Sequence, residues 1–256
     1  MNQRMYGLGS RRSVIREIFE YGKKRAAEVG ADKVFDFSLG NPSVQPPQIV
    51  EDTLVGLLRE EDATALHGYT SAQGDLSVRR AIAEYIAATH GVKADPDLIY
   101  MTCGAAASLT ITLSALCEKG DEVITFAPFF TEYRVFTETA GAKLVELASD
   151  PETFQIDFPR LEKAFTEKTA AVLVNSPNNP SGVVYSEETV KKLAALLARK
   201  SAEYGRTIYL VTDEPYRELV YGGVKVPYLT AYYKHTVVCY SYSKSLSLPG
   251  ERIGYI

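Results

Sequence analysis

The chain has 256 residues, of which 46% are hydrophobic, so it is long enough to bury a large core. A formal net charge of −4 gives no basic footprint for nucleic acid, and the absence of any run of 18 apolar residues argues against a transmembrane helix. The three cysteines form no C-x-x-C pair and no secretory signal is recognisable, so we expect neither a zinc site nor disulfides, and a cytoplasmic location.

The first part of the chain contains two predicted helices and one predicted strand. Apolar residues recur at helical spacing over residues 13–30, which end in glycine, a common helix stop. Residues 35–39 alternate between apolar and polar side chains as a short strand does. Residues 75–90 have the pattern of an amphipathic helix that ends at Gly91.

Strands and helices alternate through the rest of the chain. The predicted strands are residues 98–102, 122–126, 143–147, 170–174, 207–212 and 236–240. The predicted helices are residues 105–119, 131–139, 158–165 and 186–204. This alternation indicates an α/β fold with a mostly parallel sheet covered by helices. Ligands of such sheets bind beyond the carboxyl ends of the strands.

The segment SYSKSLSLPGERIG, residues 241–254, has the most informative pattern in the chain. Lys244 becomes a covalent catalyst if desolvation or a nearby cation keeps its amine partly deprotonated. Arg252 could be that cation, or its guanidinium could hold a phosphate together with the hydroxyl of Ser241. An amine beside a phosphate anchor is what pyridoxal phosphate requires.

Three other segments lie at predicted strand ends, and each has an ordinary structural alternative. Residues 103–108 have small side chains that would let a phosphate approach a helix N-terminus, but taken alone they favour a tight strand–helix turn followed by a packed, alanine-rich helix. Residues 175–182, NSPNNPSG, form a rigid turn whose asparagines cap the backbone or point into a site. Asp213 would pair with a protonated pyridine nitrogen, or would cap a helix.

The chain also contains a pair of adjacent phenylalanines and three histidines that could belong to a site. Phe130, next to Phe129, would stack on a flat cofactor ring or belong to the core. The three histidines, at positions 67, 90 and 235, show no metal-ligand spacing, so no metal site is predicted.

Taken together, these segments resemble the class I/II aminotransferases, pyridoxal-phosphate enzymes of fold type I. Residues 241–254 are similar to the lysine signature of that family, residues 179–182 to its N-P-[ST]-G turn and residues 213–216 to its D-E-x-Y motif. Residues 67–74 and 39–42 are similar to two earlier family segments. The resemblance implies a three-layer α/β/α large domain over residues 46–256, incomplete at its C-terminal end, and a contribution of residues 1–45 to a small domain.

The resemblance also implies roles for individual residues. Lys244 would form the aldimine with pyridoxal phosphate and shuttle the substrate's α-proton. The cofactor-binding residues would be Asp213 at the ring nitrogen, Asn179 and Tyr216 at the phenolic oxygen, Phe130 on the ring, and Ser241, Arg252, Gly104, Ala105 and Ala106 at the phosphate. Tyr69 would reach the phosphate of a neighbouring subunit, which implies a homodimer, and Gly40 would lie near the substrate carboxylate.

Two features depart from the family pattern. Ala105 and Ala106 replace hydroxyl or amide side chains, so the phosphate would rely more on backbone N–H groups. Family members continue past Ile256, and the arginine that clamps the substrate carboxylate lies in that continuation, so no residue here is assigned its role. Residues 252–256 look like the start of a strand, and we expect that leaving them unpaired makes the chain fold poorly or associate.

The implied reaction is transamination of an amino acid to a 2-oxo acid. The cofactor performs the bond-breaking chemistry and the pocket selects its outcome, so a carbon–sulfur β-lyase is an alternative. The alternative that is not an enzyme is a truncated, non-catalytic fragment.

Overall fold

A computed structural model describes residues 1, 3–10, 14–38 and 40–256. They divide into two compact units, Met1–Val44 and Gln45–Ile256. The assignment of residues 1–45 to a small domain stays a prediction.

The first unit contains two helices, α1 (Gln3–Ser10) and α2 (Val14–Val29), followed by a 3-10 turn, Ala31–Lys33. Helix α2 confirms the helix predicted over residues 13–30, although Ser13 lies outside the described residues. The predicted strand over residues 35–39 is wrong for residues 35–38, which are not in a strand, while Leu39 lies outside the described residues. Phe35 and Phe37 are 80% and 92% exposed, so the alternation is not accompanied by the burial that stabilises a strand.

The second unit begins with three helices, α3 (Gln48–Glu60), α4 (Ala63–Leu66) and α5 (Leu76–His90). Helix α5 was predicted, and its ends follow from the sequence. The Asp75 carboxylate accepts hydrogen bonds from the backbone N–H groups of Ser77 and Val78, and Gly91 ends the helix at φ 67°. Helices α3 and α4 were not predicted, and no residue of α3 is buried.

A seven-stranded sheet forms the centre of the second unit, in the order β1-β7-β6-β5-β4-β2-β3. The strands are β1 (Met101–Thr102), β2 (Glu122–Ala127), β3 (Lys143–Ala148), β4 (Thr169–Asn175), β5 (Tyr209–Asp213), β6 (Thr236–Ser241) and β7 (Gly254–Tyr255). Strands β2 to β6 pair in parallel, which confirms the mostly parallel sheet, and β7 runs antiparallel to both of its neighbours.

Two predictions about this sheet need correction. The strand predicted over residues 98–102 is reduced to β1, because Pro96–Leu98 forms a 3-10 turn in which the Asp95 side chain caps the N–H of Asp97. The start of a strand expected within residues 252–256 is confirmed by β7, but the expectation that this region is left unpaired is wrong for Gly254 and Tyr255, because β7 lies between β1 and β6 and pairs with both. That the chain folds poorly or associates stays a prediction.

The remaining helices connect the strands. They are α6 (Ala105–Leu116), α7 (Glu132–Thr139), α8 (Phe158–Ala164), α9 (Glu187–Tyr204) and α10 (Tyr242–Ser245). The first four lie within three residues of the predicted bounds at each end, and α10 was not predicted. No helix among the described residues is both long enough and apolar enough to cross a membrane.

Alternate side chains of the strands enter two separate apolar clusters, which is the pattern of a sheet covered on both faces. On one face, strand residues pack with α6 and α7: Val123, Leu173, Val211, Leu109, Leu113 and Tyr133. On the other face, strand residues pack with α8 and α9: Ile124, Val172, Leu210, Leu161, Leu193 and Leu197. The three-layer α/β/α architecture is therefore confirmed, and every residue of β4 is buried within it.

Candidate active site

A cavity of about 150 Å³ lies at the carboxyl ends of β5 and β6 and the N-terminus of α6. Parallel strands end at the same edge of a sheet, so the loops that follow them meet there. Nine of the residues predicted from the sequence line this cavity: Ala105, Ala106, Phe130, Asn179, Asp213, Tyr216, Ser241, Lys244 and Arg252. Segments far apart in the chain thus converge on one space.

Lys244 lies on α10, the single helical turn that follows β6. Ser241 begins this turn, because its hydroxyl accepts a hydrogen bond from the N–H of Ser243 at 3.2 Å. The Lys244 side chain is partly buried, and desolvation lowers the pKa of its amine. A larger share of the amine is therefore unprotonated near neutral pH than in an exposed lysine, which makes Lys244 a candidate nucleophile and base.

Asp213, the last residue of β5, is 5% exposed. Its Oδ2 atom accepts a hydrogen bond of 2.6 Å from the hydroxyl of Tyr133, whereas Oδ1 is buried without a hydrogen-bond partner among the described residues. Burial raises the pKa of the carboxyl to about 7, and the bond from Tyr133 opposes that rise. A buried Oδ1 of this kind requires a donor, and a protonated ring nitrogen would supply one.

The alternative role of Asp213 as a helix cap is not realised. Residues 215–218 form a turn, and none of residues 214–218 is in a helix. The carboxylate therefore has no helix N-terminus of its own to stabilise, and a ligand-facing role remains.

Hydrogen bonds join the ends of β4 and β5 beside the cavity. The side-chain amide of Asn175 donates to the backbone carbonyl of Asp213 at 2.7 Å, and its Oδ1 accepts from the N–H of Asn179 at 2.6 Å. The Asn179 side chain in turn donates to the Tyr216 hydroxyl at 3.3 Å. Asn175 thus stabilises the turn by bonding to the backbone, which is one of the two roles predicted for these asparagines. Asn179 and Tyr216 instead place an amide and a phenol at the cavity.

The opposite end of the cavity is suited to an anion. Gly104 precedes α6 at φ 85°, a conformation that L side chains rarely adopt. A Cβ atom on Gly104 would lie 2.9 Å from Nη2 of Arg252, so only glycine lets the guanidinium approach this closely. The backbone N–H groups of Ala105 and Ala106 are at the positive end of α6, and the Ser241 and Ser243 hydroxyls lie nearby, 2.7 Å from each other.

The two phenylalanines after Pro128 take different positions. Phe130 lines the cavity and contacts Tyr133 edge-on, with ring centroids 5.7 Å apart at 85°. Phe129 stacks on Tyr133 and packs against the core between the sheet and α6. Phe130 packs against the same core, so the core alternative applies to both phenylalanines, and Phe130 in addition lines the cavity, as stacking on a ligand ring would require.

Three predicted site residues, Gly104, Tyr69 and Gly40, are not among the residues that line the cavity. Gly104 lies next to it, immediately before α6 and against the Arg252 guanidinium. Tyr69 is fully exposed, and Gly40 belongs to the first unit, so the roles of both stay predictions.

Sequence reasoning missed three residues that the structure brings to the site: Asn175, Ser243 and Tyr133. Asn175 and Ser243 lie within motifs that the sequence analysis identified. Tyr133 lies three residues after Phe130, a spacing that places both side chains on the same side of a helical turn, and this spacing is the sequence feature that could have indicated it.

A sequence profile of the family "Aminotransferase class I and II" matches residues 32–256. A protein of Thermus aquaticus named a probable aspartate/prephenate aminotransferase is 33% identical over 84% of this chain and 54% of its own length. The aspartate aminotransferase of Bacillus subtilis is 31% identical over 91% of this chain and 58% of its own length. The chain therefore spans little more than half the length of these curated relatives.

Solved structures agree with these matches. A crystal structure of an aminotransferase from Eubacterium rectale is 61% identical, with a TM-score of 0.97 over 100% of this chain and 64% of that one. The aspartate aminotransferase of Thermus thermophilus with maleate is 28% identical, with a TM-score of 0.84 over 100% of this chain and 63% of that one. The arrangement of strands and helices described above is thus the arrangement found in aminotransferases.

Proposed function

Since the chain belongs to the class I and class II aminotransferase family, we propose that the protein transfers the amino group of an amino acid to a 2-oxo acid with pyridoxal phosphate as its cofactor. The observation that supports this most strongly is the content of one cavity. It is lined by a partly desolvated lysine, by a buried carboxyl with one oxygen that has no hydrogen-bond partner among the described residues, and by a helix N-terminus beside an arginine. These are the three chemical groups that an aldehyde, a basic ring nitrogen and a phosphate require.

The residues present fit this cofactor. Asp213 Oδ1, which is buried and has no partner among the described residues, would accept the proton of the ring nitrogen. Asn179 and Tyr216 would donate to the phenolic oxygen, and Phe130 would lie against the ring. The phosphate would be held by the guanidinium of Arg252, the Ser241 hydroxyl and the first N–H groups of α6. When bound, pyridoxal phosphate supplies an aldehyde and an electron-withdrawing ring.

The chain's own residues then perform two tasks. The Asp213 carboxylate would keep the ring nitrogen protonated, because a buried carboxylate and a neighbouring cation stabilise each other's charged form. The Nζ atom of Lys244 takes the proton from the substrate's α-carbon and later returns it. Desolvation favours the neutral form of that amine, which is the form able to accept a proton.

The substrate, the assembly and the location are further parts of the proposal. Aspartate is the first amino donor to examine, because relatives from several organisms are named aspartate aminotransferases. The fully exposed side chain of Tyr69 is available to a second copy of the chain, in agreement with a homodimer. Three free thiols, at Cys103, Cys117 and Cys239, suit a reducing cytoplasm.

The proposed reaction is tested by following keto-acid formation from aspartate and a panel of other amino acids. Replacement Lys244→Ala should lower the rate at least about 100-fold, because the proton-transfer group is lost. Lys192→Ala is the matched control, since Lys192 is an exposed lysine paired with Glu188, and it should leave the rate unchanged.

Two outcomes would contradict transamination. One is a Lys244→Ala protein as active as the Lys192→Ala protein. The other is dominant release of pyruvate from a cysteine thioether without keto-acid formation from other amino acids, which would indicate a carbon–sulfur β-lyase.

A further inference from the structure

Tyr133 contacts the site without lining it. It lies on α7, is 1% exposed, and packs in the apolar cluster between the sheet and α6. A buried tyrosine hydroxyl needs a hydrogen-bond partner, and here that partner is a carboxylate: Oδ2 of Asp213, at 2.6 Å. The two residues are 80 positions apart in the sequence, so the fold, rather than a local motif, creates this contact.

The surroundings of Asp213 give each of its oxygens a different role. The Asn175 amide binds the backbone carbonyl of Asp213, not its carboxylate. Cys239, on the adjacent strand β6, bonds instead with Thr112, and the Tyr216 hydroxyl bonds with Asn179. Among the described residues, Tyr133 is thus the group that donates to the carboxylate, and it occupies only Oδ2.

We propose that Tyr133 is a positioning residue for the ring nitrogen of the cofactor, because its hydroxyl fixes Oδ2 of Asp213 and leaves Oδ1 as the acceptor for the protonated nitrogen. This inference rests on the proposed function, since it needs pyridoxal phosphate in the cavity. It adds to that function a residue that touches neither cofactor nor substrate.

The chemistry of the pair favours this role. Burial and the neighbouring charge of Asp213 raise the pKa of Tyr133 well above its usual value, so the phenol keeps its proton and acts as a donor. The same bond opposes the effect of burial on Asp213 and favours its ionised form. An ionised carboxylate with one oxygen already bonded presents a single directed acceptor to a cation.

The test compares two cofactors that differ at one atom. Binding of pyridoxal phosphate and of its 1-deaza analogue, in which carbon replaces the ring nitrogen, is measured for the wild type and for Tyr133→Phe. The phenylalanine keeps the ring in the core and removes only the hydroxyl. We expect the variant to bind pyridoxal phosphate about tenfold more weakly, as for the loss of a hydrogen bond to a charged group. We expect less than a twofold change for the deaza analogue, which has no nitrogen to hold.

Tyr233→Phe is the matched control. Tyr233 is also buried, and its hydroxyl donates to the backbone carbonyl of Ile208 at 2.7 Å, just before β5 and at the opposite end from Asp213. Its loss should lower stability without changing the affinity for either cofactor. The stability of all three proteins is measured by thermal unfolding.

Three outcomes would overturn the inference. Equal losses for both cofactors would show that the Tyr133 hydroxyl serves only the packing of the cavity. Unchanged affinity for pyridoxal phosphate would show that Asp213 needs no help from the phenol. A wild-type protein that binds neither cofactor would remove the proposed function itself, and this inference with it.

Discussion

The carboxyl of Asp213 is deeply buried, at a position where the proposed function requires a charge. Its pKa is raised to about 7, whereas an aspartate in an unfolded chain titrates near 3.9, about three pH units lower. Without cofactor, the folded protein therefore binds this proton more tightly than the unfolded chain does. That contribution to stability is fully present below about pH 4 and is lost as the pH rises to about 7.

Replacement Asp213→Asn should remove this pH dependence. Between about pH 4 and pH 7, the cofactor-free variant should gain stability relative to the wild type by up to ~4 kcal/mol. Urea unfolding of both proteins at several pH values measures the difference. His90, whose pKa is lowered to about 4, changes stability in the opposite direction, but it is present in both proteins and cancels in the comparison. Parallel curves of stability against pH would contradict the prediction.

Replacement of Gly104 by alanine tests the anion-binding end of the cavity. Alanine at this position would be strained at φ 85° and would place its Cβ 2.9 Å from the Arg252 guanidinium. We therefore expect Gly104→Ala to weaken the binding of pyridoxal phosphate more than that of pyridoxal, which lacks the phosphate. Isothermal titration of both ligands gives the two affinities.

Gly91→Ala is a suitable control for Gly104→Ala. Gly91 has a positive φ of 67°, but a Cβ there would meet nothing within 4 Å. Gly91→Ala therefore introduces an alanine at a positive φ without crowding an arginine, and its strain is smaller because ψ is 18° at Gly91 and 171° at Gly104. Similar losses for pyridoxal and pyridoxal phosphate in the Gly104→Ala protein would mean that the loop does not hold a phosphate.

At the scale of elements, the sequence predicts best those parts whose stabilising contacts are local. Helix α5 was predicted because Asp75 and Gly91 are capping residues, and α9 because Ser186 begins it by accepting a hydrogen bond from the N–H of Thr189. Strand β4 was predicted because an unbroken apolar run suits a strand buried on both faces. The failed strand at residues 35–38 shows the limit: alternation indicates a strand only where a partner and a core exist.

The residues of the candidate site are likewise predictable where they lie in a local motif, and not where the fold creates their contacts. Lys244, Asp213 and Asn179 were predicted because each stands in a motif at the end of a parallel strand. Tyr133 was not predicted, because its contact with Asp213 depends on how α7 packs on the sheet. The pairing of β7 on both sides was missed for a similar reason, since its partners β1 and β6 are set by the fold.

The turn between Asp213 and Tyr216 depends on a buried ion pair, formed by Glu214 and Arg217. Their side chains are 1% and 4% exposed, and the Arg217 guanidinium also lies over the ring of Tyr228 at 4.3 Å. Arg217→Met should therefore lower the free energy of unfolding by about 3–5 kcal/mol, because the Glu214 carboxylate would be left buried and unpaired. Chemical denaturation measures this loss.

An exposed ion pair provides the comparison for Arg217→Met. Lys191→Met breaks the pair between Lys191 and Glu187 on α9, and it should cost less than about 1 kcal/mol because both side chains are hydrated. If Arg217→Met cost no more than Lys191→Met, the buried pair would have no structural role in the turn.

At the scale of the whole molecule, helix α3 exposes several large apolar side chains to solvent. Ile49, Leu54 and Leu58 are each more than half exposed, and no residue of the helix is buried. Large exposed apolar patches mark interaction surfaces. We therefore expect the protein to form a homodimer, and light scattering coupled to gel filtration measures its mass.

The double replacement Leu54→Glu with Leu58→Glu tests this surface, because residues four apart share one face of a helix. It should shift the protein toward the monomer, whereas Glu188→Lys, at an exposed position of α9, should not. A wild-type protein that is monomeric at all concentrations would contradict the homodimer and, with it, the predicted role of Tyr69.

The most direct measurement identifies the amine that holds the cofactor. The protein is incubated with pyridoxal phosphate and treated with borohydride, which fixes the cofactor on the amine that holds it, and the labelled peptide is identified by mass spectrometry. The proposed function predicts a single label on Lys244, which is lost in the Lys244→Ala protein and kept in the Lys192→Ala protein. A label spread over exposed lysines, or one that remains after Lys244→Ala, would contradict it.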